Sequence, residues 1–246
     1  LKKIKHHLYG FKNCNIDFST GDWLKIVTKK INEIQKKKKI PILVGGTGLY
    51  FKALTDGLVE ITLIPIKFRN KIRLLQKSLG QEKFYKKLLK IDPLVINHIK
   101  PNDIQRSIRA YEVKLFTKKS IIEWYKGTKS IFKKKEFFKL YIDYPRADLI
   151  KKINLRTKQM LKMGVVSEVK KFLKLKIRKD KSISKAIGLV VIKDFIQKKI
   201  DEEEVIEKIS IKTRQYAKRQ VTWARGNMST WKKIKPKRLN FFLKKI

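Results

Sequence analysis

The chain of 246 residues is predicted to have an α/β fold, in which a parallel-sheet core is interrupted by a helical insertion and followed by a helical C-terminal part. Two observations predict this class. A short apolar run followed by glycines indicates a buried strand that turns into a helix. Most of the remaining chain has apolar residues at helical spacing. An apolar content of 42% is enough to build a core, so general disorder is excluded despite the high charge.

The elements follow from apolar periodicity and from turn residues. In the first part, the pattern predicts a helix over 23–36, a strand over 40–44 and a short helix over 49–54. Helical spacing dominates 66–124, and residues 137–144 predict a second strand that ends at Pro145. Further helices are predicted over 147–163, 165–175, 185–197 and 202–224. We therefore assign the α/β core to residues 1–60 and 136–228, a helical insertion domain to 61–135, and a weakly structured tail to 229–246.

The charge is strongly positive, since 63 Lys and Arg face 21 Asp and Glu, which gives +42. Such a balance is typical of proteins that bind a polyanion such as nucleic acid, although many lysines can equally belong to a solvated surface. Only 11 of the basic residues are arginine, so a cluster of arginines indicates a need for its planar, bidentate fork. Two clusters occur, namely Arg106 with Arg109, and Arg214 with Arg219 and Arg225.

Cysteine content and hydropathy exclude several classes of protein. A single cysteine excludes a disulfide framework and a cysteine-rich metal site. No apolar run approaches the ~20 residues that a membrane span needs, and no signal-peptide pattern is visible. We expect a cytoplasmic protein, without a membrane partner and monomeric.

A glycine-rich turn, Gly45-Gly46-Thr47-Gly48, follows the predicted strand 40–44. Glycines allow close approach of a ligand to the backbone, and Thr47 would lie at a helix N-terminus, where free N–H groups favour an anion. The alternative is an ordinary strand-to-helix turn with Thr47 as N-cap. The turn is not a Walker A loop, because G-x-x-x-x-G-K-[ST] occurs nowhere in the chain.

A polar helix face is predicted after Pro101. Asn102 is expected to cap a helix whose buried stripe consists of Ile104, Ile108, Tyr111 and Leu115. The opposite face then carries Gln105, Arg106 and Arg109, a set suited to phosphates or base edges. A plain solvated face is the alternative.

Arg156 is predicted to lie on the apolar stripe of the helix over 147–163, between Ile153 and Met160. A buried cation is costly unless an anion pairs with it. The anion is either a buried carboxylate of this chain or a ligand phosphate. With Thr47, an inward Arg156 would form part of an anion pocket.

Three segments carry a family resemblance. PILVGGTGLYFKAL (41–54), PNDIQRSIRAYEV (101–113) and TRQYAKRQVTW (213–223) resemble, in order, motifs of the tRNA dimethylallyltransferases, also called tRNA isopentenyltransferases. The resemblance covers nearly the whole chain. It implies a P-loop-NTPase-like core with an inserted helical domain, and transfer of a dimethylallyl group from its pyrophosphate to the exocyclic nitrogen of the adenosine 3′ of the anticodon in tRNA, with Mg²⁺.

The resemblance also implies roles for individual residues. Thr47 and Arg156 would be catalytic, and the pyrophosphate would be held by Gly45, Gly46, Thr47, Arg156 and Arg219. The anticodon stem-loop of tRNA would be bound by Arg69, Gln105, Arg106, Ser107, Ile108, Arg109, Lys185 and Gly188. The family's opening strand and P-loop, and the segment that holds its catalytic base, are not found in this chain, so we expect this piece alone to be inactive and the base to precede Leu1.

Two other functions fit parts of the pattern. A non-catalytic RNA-binding module would explain the charge and the Arg106 and Arg109 pair, but not the glycine turn. A small-molecule phosphotransferase on the related P-loop fold would explain the glycine turn.

Overall fold

A computed structural model describes residues 4–178 and 181–243. The chain divides into two compact units, the first formed by Leu1–Tyr50 with Phe138–Ile246 and the second by Phe51–Phe137. The boundaries differ from the expected 60/61 and 135/136, and the first one falls inside a helix. The helices are α1 (Thr20–Lys36), α2 (Gly48–Thr55), α3 (Ile66–Ile91), α4 (Ile104–Thr117), α5 (Ile121–Lys126), α6 (Arg146–Lys162), α7 (Val165–Lys174), α8 (Leu189–Ile196), α9 (Glu202–Asn227) and α10 (Pro236–Leu243).

The second unit is a cluster of helices. α3 and α4 pack against each other, and α5 completes the core, whose most buried side chains are Phe84, Leu88, Val95 and Val113. α3 bends at Gly80, where φ is +72°, a value that glycine adopts without strain. Gly80 therefore separates two helical segments within Ile66–Ile91.

The first unit holds the remaining helices and a small sheet. α7, α8 and α9 enclose an apolar core made of Val169, Val191, Ile192, Val205 and Ile209. Two strands, β1 (Leu140–Ile142) and β2 (Lys232–Ile234), pair in parallel, with Leu140 opposite Lys232. A small parallel sheet in a mostly helical α/β chain is therefore confirmed, but β1 covers only part of the expected strand 137–144 and its partner β2 lies in a segment where no strand was predicted.

The prediction of a strand over 40–44 is wrong, because these residues form no strand with any described segment. This segment follows α1 without a backbone hydrogen bond to any described strand. Ile40, Ile42 and Val44 are 84%, 78% and 91% exposed, while Pro41 and Leu43 between them are half-buried. The alternation is that of an extended chain, but a strand also needs a neighbour that accepts and donates its ladder hydrogen bonds.

The tail prediction is also wrong. Residues after Gly226 supply β2 and α10, and Phe242 of α10 stacks on Phe138 at a centroid distance of 5.8 Å. The pairing partner that β1 needs thus comes from the end of the chain, which periodicity alone cannot indicate. Among the described residues, no helix combines the length and the apolar character required to cross a membrane.

Candidate functional site

The glycine turn lies against the α9 signature within the first unit. The Gln220 side-chain amide donates a hydrogen bond of 3.0 Å to the carbonyl oxygen of Gly46, across 174 positions of sequence. A Cβ at residue 48 would lie 2.1 Å from the Trp223 ring. Only glycine lets α9 approach this closely, so the turn and the TRQYAKRQVTW segment form one structural site.

Thr47 is exposed and directly precedes α2. Its carbonyl oxygen accepts a hydrogen bond of 3.0 Å from the Tyr50 N–H, which begins the helix. The Tyr50 ring stacks on Trp23 of α1, with centroids 4.4 Å apart and planes 12° from parallel. Trp223 therefore packs against the end of the turn and Trp23 packs against the helix that follows it, while Thr47 is exposed.

Arg219 lies one position before Gln220 and is exposed. Its guanidinium lies 5.6 Å from the centroid of the Tyr216 ring, a cation–π arrangement one turn earlier on α9. This stacking orients the planar group without consuming its hydrogen-bond donors. Arg219 is thus the sequence neighbour of Gln220, and its guanidinium lies against Tyr216 on the same helix.

The inward orientation predicted for Arg156 is wrong. Arg156 is exposed, and the buried positions of α6 are Ile153 and Thr157. The Thr157 hydroxyl donates to the Ile153 carbonyl oxygen at 3.0 Å and accepts from the Ser210 hydroxyl of α9 at 3.3 Å. Because both hydroxyls are hydrogen-bonded, Thr157 can be buried beside Ile153, and the buried face of α6 does not include Arg156.

The polar face of α4 is present, but it begins differently from the prediction. The cap is Asp103, whose carboxylate accepts from the Arg106 N–H at 3.1 Å, and not Asn102. Ile104, expected in the buried stripe, is exposed. Its place in the core is taken by Ser107, whose hydroxyl donates to the Asp103 carbonyl oxygen at 2.7 Å.

The residues expected to contact tRNA fall into two groups. Exposed or half-exposed side chains are those of Arg69, Gln105, Arg106, Arg109 and Lys185. Ser107 and Gly188 are buried and Ile108 packs against the core, so these three shape the backbone rather than present a side chain. At Gly188 φ is +96°, and an added Cβ would lie 3.3 Å from Ile209.

Tyr125 is a further candidate for contact with RNA, and the sequence patterns did not identify it. Tyr125 of α5 is half-exposed, and its pKa is raised by burial and lowered in part by the positive charges of Arg109 and Arg106. Its ring therefore lies in the field of the arginines of α4. An exposed aromatic among arginines is suited to stacking with an RNA base.

The comparisons with known proteins decide the family. The family model described as IPP transferase matches residues 1–227. The chain belongs to the IPP transferase family. A relative, the tRNA dimethylallyltransferase of Pelagibacter ubique, is 58% identical over 245 residues, which is 100% of this chain and 78% of that protein. The tRNA dimethylallyltransferase of Allorhizobium ampelinum is 39% identical over 96% of this chain and 78% of its own length.

Solved structures agree with this membership. The chain is similar to the tRNA isopentenylpyrophosphate transferase of Bacillus halodurans, with 31% identity, a TM-score of 0.61, and coverage of 95% of this chain and 72% of that one. It is also similar to a eukaryotic dimethylallyltransferase acting on tRNA, with 26% identity, a TM-score of 0.77, and coverage of 91% and 56%. None of these relatives is named as a phosphotransferase or as a non-catalytic RNA-binding protein.

Proposed function

We propose that this chain transfers a dimethylallyl group from dimethylallyl pyrophosphate to the exocyclic nitrogen of the adenosine 3′ of the anticodon in tRNA. As a member of the IPP transferase family it is a prenyl-transferring enzyme. The observation that carries the proposal is the contact of Gln220 and Trp223 with the glycine turn. It joins two segments of the family resemblance into one site.

The proposed reaction replaces one bond with another. The adenine amine attacks the allylic carbon, the bond from that carbon to the pyrophosphate oxygen breaks, and the amine loses a proton to a base. The pyrophosphate leaves more readily when its developing charge is stabilised. We propose that the backbone of Gly45 and Gly46, the Thr47 hydroxyl, and the guanidinium groups of Arg156 and Arg219 supply this stabilisation.

The exposure of Arg156 changes its role in the proposal. An exposed guanidinium has solvated donors and makes no ion pair with another described residue, so it can meet an incoming anion without first losing a buried partner. A buried position, in contrast, would have required a partner at all times. Arg156 is therefore proposed to pair with the pyrophosphate and not with a carboxylate of this chain.

The resemblance implies Mg²⁺, which proteins usually hold through one or two carboxylates together with phosphate oxygens of the substrate. Among the described residues, no group of three or more His, Cys, Asp or Glu side chains is placed to hold a metal ion. No step of the proposed reaction is routed through the ion.

The acceptor tRNA must be bound as well as the pyrophosphate. We propose that Arg69, Gln105, Arg106, Arg109 and Lys185 contact the anticodon stem-loop, mainly through its phosphates. Such contacts carry little sequence information and are weakened by salt. The target adenine must also leave the base stack to reach the allylic carbon.

Labelled dimethylallyl pyrophosphate and tRNA test the proposal. Product is measured as label in the adenosine 3′ of the anticodon, for the chain alone and for a fusion with the part of the Pelagibacter relative that the alignment does not cover. Product from either supports the proposal, and product from the chain alone would show that its expected inactivity is wrong. No product from either, while the relative itself labels the same tRNA, would overturn it.

A paired variant separates chemistry from binding. Arg156→Ala in the active form should remove most of the prenylation and leave the tRNA Kd nearly unchanged. Arg146→Ala, which removes another exposed arginine from the same helix, is the matched control. Equal loss of RNA binding and of prenylation in Arg156→Ala would contradict the assigned pyrophosphate role.

A further inference from the structure

A buried carboxylate lies among three arginines in the second unit. The side chain of Glu112, on α4, is 1% exposed. Its Oε2 atom lies 3.2 Å from the Nε of Arg69 and 3.4 Å from an η nitrogen of Arg109, and its Oε1 atom lies 4.0 Å from the Nε of Arg73. Arg69 and Arg73 come from α3, so the cluster also ties α3 to α4.

The cluster carries more positive charge than its own acid can neutralise. Three guanidinium groups face one carboxylate, and their side chains are 36%, 50% and 38% exposed for Arg69, Arg73 and Arg109. A pairing that served stability alone needs one cation for one buried anion. The cluster therefore keeps a net charge of +2. The arginines that carry this charge are partly exposed, whereas the carboxylate that they contact is buried.

The hydrogen-bond donors of the arginines are only partly used. A guanidinium has five N–H donors, and Arg69 spends its Nε–H on Glu112. Its η nitrogens make no hydrogen bond with any other residue in the described ranges. Glu112 Oε1 is buried and has no hydrogen-bond partner, although Arg73 is the cation nearest to it. An anion that draws the three guanidinium groups together would also bring Arg73 toward this oxygen.

We propose that Glu112 is a positioning residue that holds Arg69, Arg73 and Arg109 as a single binding group for phosphodiesters of the RNA stem. The inference rests on the proposed function, because the ligand is the tRNA of that function. It adds Arg73 to the RNA surface and gives Glu112 a role that the family resemblance does not supply. Arginine suits this role because its planar fork pairs bidentately with phosphate, and fixing the fork beforehand reduces the entropy lost on binding.

Removing the charge of Glu112 separates positioning from simple electrostatics. Glu112→Gln keeps the size of the side chain but raises the net charge by one. If only total charge matters, RNA binding becomes tighter. If Glu112 positions the arginines, binding becomes about tenfold weaker, the loss expected when one charge-assisted phosphate contact is released. The two explanations predict opposite signs.

The measurement is fluorescence anisotropy of a labelled anticodon stem-loop RNA, titrated with the 246-residue chain at fixed salt. Glu82→Gln is the matched control, because Glu82 lies on α3 in the same unit, is exposed, and has Lys86 as its ion-pair partner among the described residues. It makes the same change in charge and should tighten binding slightly. Glu112→Gln binding as tightly as Glu82→Gln would overturn the inference.

A second pair of variants does not depend on how Glu112→Gln folds. Arg73→Gln and Lys77→Gln each remove one exposed positive charge from α3. Arg73→Gln should weaken the RNA complex by about tenfold and Lys77→Gln by less than about threefold, since only Arg73 belongs to the positioned group. Equal losses would overturn the inference.

Two outcomes distinguish a failure of this inference from a failure of the proposed function. If the unmodified chain does not bind the stem-loop, the RNA surface of the proposed function is refuted as well. If the unmodified chain binds and Glu112→Gln binds as tightly as Glu82→Gln, the positioning role alone is refuted.

Discussion

Replacing Gly48 by alanine tests how closely Trp223 packs on the glycine turn. The new Cβ would lie 2.1 Å from Cε3 and 2.3 Å from Cζ3 of the indole. Carbon atoms in contact stay about 3.5 Å apart, so the ring or α2 would have to move by roughly 1.4 Å. Two aromatic carbons of one rigid ring obstruct the methyl group, and no rotation about a terminal bond removes both contacts.

Overpacking of this kind costs about 1–3 kcal/mol, which is the expected loss in the free energy of unfolding. Gly46→Ala should cost less, about 1 kcal/mol, because its Cβ meets the end of the flexible Gln220 side chain and displaces one hydrogen bond. Gly226→Ala is the control. It lies in α9 with nothing within 4 Å of the new Cβ, and it should stabilise by about 0.5–1 kcal/mol.

The assay is urea unfolding of the three variants beside the unmodified chain, followed by far-ultraviolet circular dichroism. The expected order of stability is Gly226→Ala, the unmodified chain, Gly46→Ala and then Gly48→Ala. A Gly48→Ala protein within about 0.3 kcal/mol of the unmodified chain would refute the reasoning, since that difference is smaller than any overpacking cost. Trp223 would then be free to move, and the turn would not be held by α9.

Three further changes give expected outcomes. Gln220→Ala should lower the free energy of unfolding by about 0.5–1.5 kcal/mol through loss of its bond to Gly46, measured by the same unfolding curves. Ser210→Ala should cost about 1 kcal/mol, because it removes a buried donor to Thr157, and a neutral result would contradict that contact. Arg156→Ala should leave stability within about 0.5 kcal/mol, as expected for an exposed residue, whereas a large loss in thermal unfolding would restore an inward orientation.

The helical part of the fold could be predicted from the sequence because its signals are local. The helices α1, α2, α6, α7 and α9 agree with the predicted spans to within a few residues, and the bend at Gly80 follows from one residue type. The periodicity of apolar residues reports which side of a helix is buried, and it needs no knowledge of the rest of the chain.

The failures occur where a polar side chain takes an apolar place. Thr157 and Ser107 are buried because their hydroxyls bond to the carbonyl oxygen four residues earlier, at 3.0 Å and 2.7 Å. A pattern based on hydropathy assigns both residues to the solvent side. The stripe is then rotated, which placed Arg156 inside and Ile104 in the core.

The site shows the same division. Sequence motifs identified the glycine turn, the arginine face of α4 and the α9 signature, because each is a contiguous string of unusual residues. They could not indicate that Glu112 gathers arginines from two helices, since Arg69 and Glu112 are 43 positions apart and neither is unusual by itself.

The amino-acid order alone established a basic, mainly helical α/β chain, its resemblance to an enzyme family, and the segments that carry this resemblance. Tertiary structure alone decided that Gln220 reaches Gly46, that β1 pairs with β2 from the far end of the chain, and that Arg156 faces water. The physical reason is the sequence distance over which each kind of interaction acts. Helix periodicity and turn preferences act over a few residues, whereas a hydrogen bond across 174 positions depends on the packing of everything between.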